Sequence, residues 1–198
     1  MTTLLDLTSI IASATVQREL RPRNDLQEPG WTFWELRTLN MHRVVGLLHE
    51  HREFLDAHDF EATIRRVVSR NFKTSWWRGM GYGIVAEVAV SSLRDNDLKV
   101  LVDGRENSKG TLQWVVLVAR DARVAVGVHT WMETYLSPVY RNTLQALGAT
   151  GFQVSSARKE KDGLMKFLTG VADLNVALRS FGTRREVFPE FRNDLRRS

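Results

Sequence analysis

The sequence predicts an α+β fold, and three observations carry that expectation. Apolar residues recur at three-four spacing up to Phe72, alternate between turn clusters through the middle, and return to helical spacing after Ser137-Pro138. The predicted order is N-terminal helices, an antiparallel meander of three or four strands, then helix–strand–helix and a basic C-terminal tail. This divides the chain into an N-terminal helix and linker over 1–30, a single α+β domain over 31–182, and a tail over 183–198.

Leu4 to Leu20 reads as a first helix, closed by Arg21-Pro22 and a linker from Asn24 to Gly30. Thr32 and Glu35 then match a T-x-x-E capping box, with Trp31 placed to staple against Leu36. A helix is expected from there to about Ala57, on a stripe of Met41, Val44, Leu48, His51, Leu55 and His58. Asp59 is the expected N-cap of a helix from Phe60 to Phe72 that buries Phe60, Ile64, Val67 and Val68.

From Tyr82 the period shifts to two. Ile84 to Val90 reads as a strand, with a helix as the competing assignment because alanine and glutamate fit either. Turn clusters at Arg94–Asp97, Arg105–Gly110 and Arg120–Arg123 mark off three further β-rich runs: Leu98–Val102, Leu112–Ala119 and Val124–Trp131. Pro138 at a first helical position opens a helix expected to stop at Gly148 or Gly151. A strand is expected over Phe152–Ala157, and a last helix from Asp162 to Gly182 on a face of Leu164, Phe167, Leu168, Val171, Leu174 and Leu178.

Composition narrows the function classes. The 198 residues carry a formal net charge of +5, which favours an anionic partner. With no cysteine, disulfides, thiolate catalysis and cysteine-based metal sites are excluded. Met1 to Leu20 lacks the basic start of a signal peptide, and Ser75 to Leu93, the most apolar long window, contains Arg78 and Glu87. A cytoplasmic protein without a transmembrane segment is the expectation.

The densest cluster of binding-type residues is Lys73 to Gly83, which combines Trp76, Trp77, Arg78 and Tyr82 with glycines at 79, 81 and 83. Alternate glycines can cradle a phosphate, but a dinucleotide loop follows a strand and opens a helix, and here the order is reversed. A helix-to-strand corner, where glycines permit close approach and the tryptophans cover the core, is the favoured reading of the glycines. Just upstream, Arg66, Arg70 and Lys73 fall on one helical face leading to the tryptophans. These six residues (Arg66, Arg70, Lys73, Trp76, Trp77 and Arg78) form the expected anion or nucleic-acid site, with tryptophans for stacking and cations for phosphates. The competing reading is a solvated face opposite Ile64 and Val68.

Catalytic templates fit less well. His51 and His58 lie two helical turns apart, too far for one tetrahedral zinc, so neither a metal nor a cofactor is expected. The order helix, meander, helix, strand is similar to the core of restriction-type nucleases, which implies paired acids and an acid-x-lysine. Gly127-Val-His129 stands where that motif belongs. The same order looks like an acetyl-coenzyme A–dependent acyltransferase, which implies a pyrophosphate loop at the helix start. Ser137-Pro-Val-Tyr140-Arg141-Asn142 lacks its glycines. His129, Glu133 and Tyr140 are the weak catalytic candidates that remain.

The sequence therefore points to a non-enzymatic basic binding or adaptor protein that engages nucleic acid or an acidic protein surface. The alternatives are a degenerate acyltransferase-like enzyme with a cleft near His129–Arg141, and a subunit of a protein assembly.

Overall fold

The computed structural model describes residues 6–52, 57–73, 79–88, 111–119, 124–129 and 135–153. The fold is α+β: three described helices flank a seven-stranded mixed sheet in the order β1 to β7. In chain order these are α1 (Leu7–Val16), β1 (Arg21–Pro22), β2 (Trp31–Arg37), β3 (Met41–Arg52), α2 (Ala57–Asn71), β4 (Gly79–Val88), β5 (Thr111–Ala119), β6 (Val124–His129), α3 (Ser137–Leu147) and β7 (Thr150–Gln153). No described helix is long and apolar enough to cross a membrane.

Helix α1 starts later than the apolar pattern predicts, because Asp6 caps it. The Asp6 carboxylate accepts from Ser9 N at 3.2 Å and from Ser9 Oγ at 2.5 Å. Its far end is a left-handed turn at Glu19 (φ 58°), where Leu20 N returns to Thr15 O at 3.3 Å.

The predicted helix from Thr32 to Ala57 is replaced by the β2–β3 hairpin. Phe33 pairs with Gly46 and Glu35 with Val44, and the Thr38 hydroxyl holds the turn by donating to Met41 O at 3.0 Å. The capping-box residues act across strands instead. Thr32 Oγ1 meets His49 Nε2 at 2.6 Å, and Glu35 accepts from His42 Nε2 at 2.7 Å. Both faces of this hairpin are buried, so the period-two alternation is erased, and Val44 and Leu48 share a face of a strand as readily as of a helix.

Downstream the strand expectation for Ile84–Val90 holds over the described part, since β4 runs through to Val88. It begins at Gly79, so the three glycines lie inside the strand and not at a corner before it. The meander is only partly antiparallel. β5 and β6 form the expected hairpin, but β4 runs parallel to both β3 and β5, and β6 parallel to β7. Leu98–Val102, the helix from Asp162 and the tail over 183–198 lie outside the described residues. Helix α3 meets its expectation at both ends, with Pro138 in its first turn and Gly148 left-handed at φ 60°, ψ 34°.

The sheet is buried on both faces. On one side Phe60, Ile64, Val67 and Val68 of α2, with Phe72 just past its end, pack against Phe33, Val44, Tyr82, Ile84 and Val115. On the other, α1 and α3 cover Trp34, Val45, Val85, Trp114 and Val116 with Leu7, Ile11, Val139 and Tyr140. Alternation along each strand therefore sorts side chains between an α2 face and an α1/α3 face.

Candidate anion-binding face

Helix α2 turns its apolar stripe inward and leaves Ala62, Arg65, Arg66, Ser69 and Arg70 exposed, and Lys73, two residues past its end, is exposed as well. The cationic face that spacing predicts is thus presented to solvent. Arg65 is engaged by Glu61 one turn away. Arg70 reaches Glu28 only at 3.8 Å and keeps 75% of its side chain exposed, so that contact constrains it weakly. Among the described residues, Arg66 and Lys73 make no ion pair. Arg70 and Lys73 also stand at the helix C-terminus, where positive charge is favoured by the macrodipole. Trp76, Trp77 and Arg78, the other half of the predicted site, lie outside the described residues.

The glycines next to that site have a packing explanation. Gly81 and Gly83 point to the α1/α3 face of β4. A Cβ on Gly81 would strike the Gln113 amide, and one on Gly83 would enter the Trp114 indole. A bulge in β5 produces the crowding: Tyr82 pairs with Leu112 but Gly83 with Trp114, so Gln113 is the extra residue. No phosphate cradle is needed to account for these glycines.

Beside α2 lies a polar chain that sequence reasoning missed. Arg23 donates to Asp25 through Nε and Nη2, each at 2.7 Å, and its Nη1 lies 2.5 Å from Glu35 Oε1. The other Glu35 oxygen meets the fully buried His42, whose ring stands edge-on to Phe72 at 5.5 Å. Hydrogen bonding to Asp25 dominates the rise of the Arg23 pKa, opposed by desolvation and supported by the charge of Glu35. Arg23 in turn holds the Asp25 carboxyl below its ordinary value. The only sequence signal for this chain was an Arg-x-Asp before a tryptophan-rich segment, which is too common to read.

Of the catalytic candidates, the structure brings two together. His129 pairs with Trp114 across the β5–β6 hairpin, and both rings lie against Tyr140, at 5.3 Å from His129 and 5.6 Å from Trp114. Tyr140 is 3% exposed and wedged over two glycines: a Cβ on Gly127 would approach its hydroxyl to 2.6 Å, and one on Gly151 to 2.9 Å. The phenol thus serves as a packing element between α3 and the β6–β7 pair. Glu133 lies outside the described residues. Among the described residues, no three histidine or acidic side chains gather as a metal site would require.

Compared with family models, with curated proteins and with solved structures, the chain matches none.

Proposed function

We propose that the protein is a non-enzymatic binding module that engages an anionic partner through the outer face of α2. The observation that carries this reading is the exposed pair Arg66 and Arg70 on the outer face of α2, continued by the exposed Lys73 two residues past the helix end, with neither Arg66 nor Lys73 in an ion pair among the described residues. The excess of cations over the whole chain supports it, and long-range attraction brings a polyanion to such a face. The basic tail over 183–198 and the Trp76–Arg78 segment belong to the same proposal as further contacts.

Fluorescence anisotropy of labelled DNA duplex and of labelled heparin, each across a salt series, tests the reading. Binding should weaken as salt rises and should collapse in the triple variant Arg66→Glu/Arg70→Glu/Lys73→Glu. Salt-independent binding, or a triple variant that binds like the parent, would sink it. The three positions are exposed, so the variant should keep the parent's circular dichroism.

A further inference from the structure

Strand alternation places more cations on the side of the sheet that α2 covers. In β2, Trp31, Phe33 and Glu35 face α2, and Arg37 is the next residue in that series. It pairs directly with His42, which touches Phe72 at the end of α2. In β1, Arg21 stands opposite Glu35 and so shares its face. Both arginines are exposed, and neither forms an ion pair among the described residues.

The described carboxylates on this side are already engaged. Glu61 holds Arg65, and Glu28 accepts from Asn71 Nδ2 at 2.9 Å with Arg70 nearby. Asp25 and Glu35 hold Arg23. Four cations remain without an ion pair among the described residues: Arg66 on α2, Lys73 just past its end, and Arg21 and Arg37 on the strands beside it. Arg66 and Arg70 are about 6 Å apart along the helix axis, and Lys73 follows two residues past its end. Arg21 and Arg37 are diagonal cross-strand neighbours about 7–8 Å apart. So wide a spread exceeds what a single small anion can bridge, and it suits a chain of regularly spaced charges.

We infer that the anionic partner is the sugar–phosphate backbone of a nucleic acid, and that it runs from α2 onto the β1–β2 edge, where Arg21 and Arg37 complete the track. This rests on the reading of α2 as an anion-binding face. A protein partner would need apolar anchors at the centre of the contact. Among the described residues, the exposed positions of α2 offer cations, a serine and an alanine, and the exposed large hydrophobics are Val16 and Leu39. A surface of this kind matches the polar, positively charged character of nucleic-acid interfaces. Guanidinium groups suit phosphate because their fork can donate to two oxygens at once. Backbone contacts read no sequence, so binding is indifferent to base order.

The test is the salt dependence of affinity for a fluorescein-labelled duplex of mixed sequence, a second duplex of unrelated sequence, a single strand, and labelled polyglutamate. The four unpaired cations contribute about −3.6 to the slope of log K against log salt on duplex, with Arg70 adding to it, and less on single strand. In Arg21→Gln/Arg37→Gln the slope should fall by about 1.8, equally on both duplexes. Glutamine is chosen because a glutamate at position 21 would face Glu35 and perturb the edge. A wild-type slope in this double variant, with binding still lost in the α2 triple variant, overturns the track and leaves the α2 reading standing. Polyglutamate bound as tightly as duplex overturns the nucleic-acid assignment in favour of an acidic protein. No salt-dependent binding to any probe overturns both readings.

Discussion

The indole of Trp114 occupies the space that a side chain on Gly83 would take. Glycine in a strand costs about 0.5–1 kcal/mol relative to alanine, so an alanine here would stabilise β4 if room existed. The ring is 1% exposed and packed on Tyr140, which leaves it no direction in which to yield. Gly83→Ala should therefore destabilise, by about 1–3 kcal/mol as for other overpacked cores. Urea unfolding midpoints check it, and Trp114→Phe in the same chain should recover part of the loss.

Glu35 links three elements through one carboxylate. Removing it leaves His42 at 0% exposure without its 2.7 Å partner and strips Arg23 of one of its two anions. Glu35→Ala should cost about 2–3 kcal/mol, the scale of a hydrogen bond to a charged group together with the group left unsatisfied. Glu35→Gln, which keeps the shape and one acceptor, should cost less. Chemical denaturation of the two variants side by side makes the comparison.

Tyr82 sets an alkaline limit. Burial pushes its phenol up to about 12, with the nearby Arg65 charge opposing and Glu61 assisting. Unfolded tyrosine titrates near 10, so above that pH the unfolded chain releases a proton that the folded chain retains. Stability from this group is complete below pH 10 and falls through the interval to 12, by about 1.4 kcal/mol per unit. Subtracting the profile of Tyr82→Phe from that of the parent should isolate a loss of about 2–3 kcal/mol over that window. Parallel profiles from pH 9 upward would refute it.

The turns that follow α1 and α3 each contain a left-handed residue, but with different side chains. Gly148 adopts φ 60° freely, whereas Glu19 at φ 58° bears the cost of a Cβ in that region. Gly148→Ala should lower stability by about 1 kcal/mol. Glu19→Gly should raise it by a smaller amount, because a more flexible unfolded chain offsets part of the relief. Thermal melts of both variants should move in opposite directions.

Local features were legible in the sequence, and long-range ones were not. Phe60, Ile64, Val67 and Val68 were recognisable as the buried stripe of α2 because helical spacing and amphipathicity coincide there. The same spacing made the exposure of Arg66, Arg70 and Lys73 readable, and Pro138 and Gly148 bounded α3. Thr32 and Glu35 misled because a capping box is defined by spacing alone, and the cross-strand partners His49 and His42 are invisible until the hairpin's register is known. For the same reason Arg21 and Arg37 showed no relation to α2. The parallel pairing of β4 was hidden because strand direction depends on crossovers, and not on composition.

The two parallel partners of β4 give it a particular place in the assembly of the molecule. The β2–β3 and β5–β6 pairs are hairpins whose contacts lie close in sequence, and they can close early. β4 has no such local partner: it bonds to β3 across α2 on one side and to β5 across residues 89–110 on the other. It is also the strand with three glycines, the least predisposed of the long strands to form alone. Its insertion between two preformed hairpins is thus the step at which loop-closure entropy is met, and folding of this chain is governed by how soon its middle arrives.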